Sequence, residues 1–204
     1  MSLESNLQSG RDAVAAVRSH NIMSSNIASH RIAFAGGIEA AIRSDRPTGM
    51  RDRGELGNAN RWIRSRGLNR AEYDLSKLLL GARQTIAHRL GNCGELCEIA
   101  VEHLYVTGVR PVEIWQFPPN SPTYDHAFII IGRRAGGATA LGSTERVSDW
   151  GADAVWCDPW QSGGVVFSIA DFIRGSVRNL DFRLKCHTVD SVEAGQPHLI
   201  FRLG

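Results

Sequence analysis

An α+β fold is predicted by the order of two hydrophobic periods. Helical spacing dominates before Gly108, and short strand-like segments dominate after it. Size agrees with this reading. With 204 residues, 43% apolar and 22% charged, the chain can bury a core without disulfide staples and is too apolar to stay disordered throughout.

The opening MSLESNLQSG is polar and reads as loosely ordered, with short helices expected over 11–18 and 32–43, the second weakened by Gly36 and Gly37. The stretch 44–60, SDRPTGMRDRGELGNAN, combines Pro, Gly and alternating charge and reads as a linker. It divides an N-terminal extension, 1–60, from a main domain, 61–204. In that domain Leu75, Leu78, Leu79, Ala82, Ile86 and Leu90 recur at helical spacing, with Asn69 and Glu72 as a capping box and Gly91 as the stop. A second helix is expected over 93–105. It places Cys93, Cys97, Ala100 and Leu104 on its buried face and turns Glu95, Glu98 and Glu102 to water. Strands follow at 112–117, 127–131, 154–157, 183–189 and 198–203, with one more helix over 167–177. The order, helices and then strands, gives N-terminal helices packed on an antiparallel sheet.

Composition narrows the function classes. The net charge of +2 comes from scattered charges with no long block of one sign, so nucleic-acid binding has little support. The longest apolar run, 127–131, is far too short to span a bilayer, and the first thirty residues lack the apolar centre of a secretory signal, so a soluble protein is expected. Lysine occurs only at Lys77 and Lys185, a skew that speaks to source more than function. The four cysteines, at 93, 97, 157 and 186, read as reduced thiols, because Cys93 and Cys97 on one helix are poorly placed to bridge.

The stretch RLGNCGELCE carries the chemistry. Cys93 stands at a helix start, where unpaired N–H groups stabilise a thiolate. Gly91 and Gly94 leave backbone room for a carbonyl substrate and for main-chain donors to a developing oxyanion, and Asn92 offers a side-chain donor. A nucleophilic thiol needs a base, and His126 opens the strand segment DHAFIII. Asp158 closes AVWCD just before Pro159. If these strands pair as an antiparallel hairpin, the start of the first lies beside the end of the second, and Asp158 orients the His126 imidazole. Trp160, just past the acid, is a candidate pocket residue, and Pro118, Pro119 and Pro122 mark a candidate groove rim. Cys97 reads as a packed core thiol.

The order of GNCGE, DHAFIII and WCDPW over about 91–160 resembles the papain-like and transglutaminase-like cysteine enzymes, and looks closest to their compact bacterial effectors and toxins. That resemblance implies a papain-like core with Cys93 as nucleophile, His126 as base and Asp158 as orienting acid. It also implies a cysteine hydrolase acting on amide bonds of a protein substrate, above all a glutamine deamidase of a host protein, with protease or acyl transferase as alternatives. No cofactor or metal is implied, and delivery into a host cell, for instance by a type III system, is. The chain departs from papain where Gln84 stands nine residues before the cysteine and where Gly94 and Glu95 replace an aromatic that follows it.

Two further readings use the same residues. A zinc site would gather Cys93 and Cys97 with His103, Cys157 or His187, although no CxxC pair occurs. A non-catalytic binding protein would use Trp115, Trp150, Trp156 and Trp160 as core and interface aromatics.

Overall fold

The computed structural model describes residues 1–24, 74–117, 126–134, 140, 145–161, 164–177 and 197–204. Helices and an antiparallel sheet make up these parts, an α+β arrangement. Helix α1 spans Leu3–Ser19, α2 Leu75–His88, α3 Cys93–Val106 and the short α4 Ile169–Ile173. The strands are β1 Val112–Gln116, β2 Ala127–Ile131, β3 Val155–Asp158, β4 Val165–Ser168 and β5 His198–Leu203. They align in the order β4-β3-β2-β1-β5, each pair antiparallel.

Both faces of the sheet are covered, which is why β2 reads as the unbroken apolar run AFIII. Ala127, Ile129 and Ile131 point to one side, where they meet α1 and α3 through Ala13, Val17, Cys97 and Ala100. Phe128 and Ile130 point to the other, into an aromatic cluster of Trp115, Phe117, Trp150, Trp156, Phe167 and Phe172. Phe128 and Trp156 stack there with ring centroids 3.7 Å apart.

The opening segment is not loose. Ser2 caps α1 by accepting the Ser5 N–H at 3.3 Å, and the helix packs on α3, β3 and β4. Buried Asn6 donates to the Asp153 carbonyl at 2.9 Å, so a residue that looks solvent-facing in sequence is an internal strut. The cap of α2 is Asp74, whose carboxylate accepts the Lys77 N–H at 2.8 Å, and the helix stops at Arg89 in the left-handed region, φ 52°, two residues before Gly91. Glu98, expected at the water face of α3, is buried. Gly81 of α2 makes room for it: a Cβ there would lie 2.3 Å from Glu98 Oε2. Phe167 and Ser168, expected in a helix, close β4, and α4 begins only at Ile169 with Ser168 as its cap. The expected helix 32–43, the linker 44–60, the capping pair Asn69 and Glu72, the prolines 118–122 and the strand 183–189 lie outside the described residues. No helix among the described residues is long and apolar enough to cross a membrane.

Candidate active site

The start of α3 is built by its own first turn. Asn92 is the extended N-cap residue, and it forms a capping box with Glu95, whose Oε2 accepts the Asn92 N–H at 2.9 Å. That hydrogen bond directs the Glu95 carboxylate onto the backbone of residue 92. Cys93 is therefore the first helical residue, within the field of the unpaired N–H groups, and it is half-buried. Beside it, a Cβ on Gly94 would meet no described atom within 4 Å, so that side is open to an approaching group.

His126 immediately precedes β2, and Asp158 is the last residue of β3. The register pairs Ile129 with Cys157, which sets Asp158 opposite Phe128 and on the same face of the sheet as His126. The imidazole and carboxylate meet at 2.6 Å, His126 Nε2 to Asp158 Oδ2, with exposures of 1% and 0%. The second carboxylate oxygen, Oδ1, accepts the N–H groups of Trp160 at 3.0 Å and Gln161 at 3.1 Å. Three donors thus fix Asp158 in its turn.

Burial alone would strip the His126 proton. The Asp158 charge, its hydrogen bond and the Cys93 thiol act the other way and push the imidazole up to about 10. The Cys93 thiol is close enough to be one of the groups that raise His126, and with Nε2 engaged by Asp158 the nitrogen left for the thiol is Nδ1. The Trp160 ring sits against the imidazole, centroids 5.1 Å apart, and walls the pair from solvent. Sequence reasoning named Cys93, His126, Asp158, Asn92, Gly94 and Trp160, and they lie around one spot where a half-buried thiol meets a buried charged imidazole.

The other thiols differ in kind. Cys97, one turn into α3, and Cys157, on β3, are fully buried, and burial pushes both thiols up, away from ionisation. Among the described residues no group of three or more His, Cys, Asp or Glu side chains is placed to hold a metal ion. His187 lies outside them. Gln84 is exposed on α2.

Ser24 is the site residue that the sequence did not signal. It is buried just beyond α1, accepts the Trp160 indole Nε1–H at 3.0 Å and bonds Asn92 Oδ1 at 2.9 Å. Nothing in NIMSSN marks it, since the segment has no apolar period and no motif. No family model matches the chain, and no curated protein or solved structure matches it.

Proposed function

We propose that the protein is a cysteine hydrolase of papain-like architecture that acts on amide groups of a protein substrate, with glutamine deamidation as the reaction. The observation that carries the proposal is the juxtaposition of Cys93 with His126, whose imidazole is hydrogen-bonded to buried Asp158 at 2.6 Å, at the start of α3. Such an arrangement serves an acyl-transfer thiol, in which the base is held by a buried carboxylate.

The Cys93 thiolate attacks the carboxamide carbon, forming the S–C bond while the carbonyl oxygen takes the negative charge. His126 gives its proton to the leaving nitrogen, the C–N bond breaks and ammonia departs, leaving a thioester on Cys93. Water, deprotonated by His126, attacks the thioester carbon and releases a carboxylate and the free thiol. Asp158, hydrogen-bonded to Nε2, holds the imidazole with Nδ1 toward the sulfur.

The test is alkylation of the native protein by iodoacetamide across pH, with each cysteine followed by mass spectrometry. Cys93 should label fast near pH 6, Cys97 and Cys157 only on unfolding, and His126→Ala should remove the Cys93 advantage. Equal labelling of Cys93 and Cys97 would refute the proposal. On a substrate found afterwards, loss of ammonia from an intact chain marks the deamidase, two fragments the protease and an added amine the transferase. Cys93→Ala should abolish whichever reaction is found.

A further inference from the structure

The chain's N-terminal segment reaches into this site. After α1, Met23 lies alongside Leu90 in an isolated bridge: its N–H donates to the Arg89 carbonyl at 2.9 Å, and its carbonyl accepts the Gly91 N–H at 3.0 Å. The backbone of 22–24 is thereby fixed against the loop that leads into Cys93. Gly91 is buried in that contact, and a Cβ there would lie 2.9 Å from both Glu95 Cβ and Thr85 Cγ2. Ser24 then carries the contact onward to two residues that flank the reacting groups, Asn92 beside the thiol and Trp160 over the imidazole.

The direction of these hydrogen bonds is forced. An indole N–H can only donate, so at the Trp160 contact the Ser24 oxygen is the acceptor. The hydroxyl proton is then available for Asn92, and the end of that carboxamide facing Ser24 is its oxygen. A flipped amide would set its NH2 against the hydroxyl and leave the hydroxyl proton without this acceptor. The capping box already sets that oxygen on the Glu95 N–H, and Ser24 adds a second hydrogen bond to it that reinforces the same amide orientation, with the donor end of Asn92 turned away from Ser24.

We propose that Ser24 is a positioning residue for the Cys93 reaction: it fixes the Asn92 carboxamide so that its NH2 group donates to the oxyanion formed when the thiolate attacks a carbonyl. The proposal rests on the thiol-enzyme reading above. In the acyl-transfer step the S–C bond forms, the carbonyl π pair moves to oxygen, and the oxyanion collapses as the leaving group departs. A donor set in place beforehand stabilises that oxygen without reorganising during the step. Attack on an alkyl halide forms no oxyanion and gains nothing from such a donor.

That difference supplies the experiment. Acylation of Cys93 by p-nitrophenyl acetate, with p-nitrophenolate leaving and the thioester remaining, is compared with its alkylation by iodoacetamide in the full-length protein. Ser24→Ala should slow acylation by about tenfold to a hundredfold, short of the roughly hundredfold to thousandfold seen when an oxyanion donor is removed outright, and leave alkylation within about twofold. Ser24→Thr, which keeps the hydroxyl, should restore acylation. In an Asn92→Ala background, which should show the same split of rates, Ser24→Ala should add little, since both act through one amide. If Ser24→Ala does not fold, the Asn92→Ala split and the Ser24→Thr rate decide the matter. A wild-type Cys93 that alkylates no faster than Cys97 would overturn the nucleophile and this role together. A fast Cys93 whose two rates fall equally, or not at all, in Ser24→Ala would overturn this role alone.

Discussion

His126 carries a proton in a setting that would ordinarily remove it, and the opposing effects have a measurable consequence. In the unfolded chain an imidazole titrates near 6.5, whereas in the native protein Asp158 and Cys93 hold it at about 10. Below pH 6.5 both states bind the proton and the full stabilisation is present. Between 6.5 and 10 only the native state binds it, so stability falls as pH rises through this window. The urea midpoint of the wild-type protein should therefore decline from pH 7 to pH 10, and Asp158→Asn should flatten the decline. Cys93, His126 and Asp158 were legible because each stands at the end of a periodic segment, where chemistry and element boundary coincide. Ser24 was not, because its partners lie 68 and 136 positions away and no local pattern points to either. Glu98 misled for a related reason. Its buried environment depends on Gly81 in another helix, and helical periodicity within α3 carries no record of that neighbour.

Helix α1 depends on one close approach. A Cβ on Gly10 would lie 2.8 Å from Val166 Cγ1 and 3.6 Å from the Cys157 Cβ, and the Gly10 carbonyl accepts the Cys157 thiol at 3.6 Å. Gly10→Leu should push the helix off β3 and β4 and cost about 1–3 kcal/mol, read from urea unfolding, with Cys157 becoming open to alkylation. The period of α1 was hard to see because buried Asn6 and Gly10 interrupt its apolar stripe. By contrast, β2 and α3 were legible almost to the residue, since β2 is apolar throughout and α3 is apolar at every buried position but Glu98. The boundary at 167–168 failed because Phe167 and Ile169 suit either period, and pairing with Trp156 decides for the strand.

At the scale of the whole molecule the sheet holds two charged centres at opposite ends of β2. One is the His126 pair. The other gathers Arg133 with Glu113 at 2.6 Å and Glu145 at 2.5 Å, its guanidinium over the Trp115 ring, with Arg202 3.4 Å from Glu113. Arg133 and Glu113 are fully buried, so Arg133→Ala should cost about 3–5 kcal/mol in urea unfolding by leaving a buried carboxylate with less compensation. The neighbouring Arg134 and Asp153 pair is exposed, and Arg134→Ala should cost at most about 1 kcal/mol. In folded Arg133→Ala protein the Cys93 alkylation rate should be unchanged, since the two centres stand at opposite ends of β2. The distance along the chain between α1 and the strands it covers has a last consequence, for synthesis. Asn6 meets Asp153, and Gly10 meets Cys157, each 147 positions later. At a translation rate of about 5–20 residues per second, the part of α1 that faces the strands waits about 7–30 seconds on the ribosome before β3 exists. During that interval the face of Ala13, Val14 and Val17 that β3 and β4 will cover is a stripe that a nascent-chain chaperone can hold.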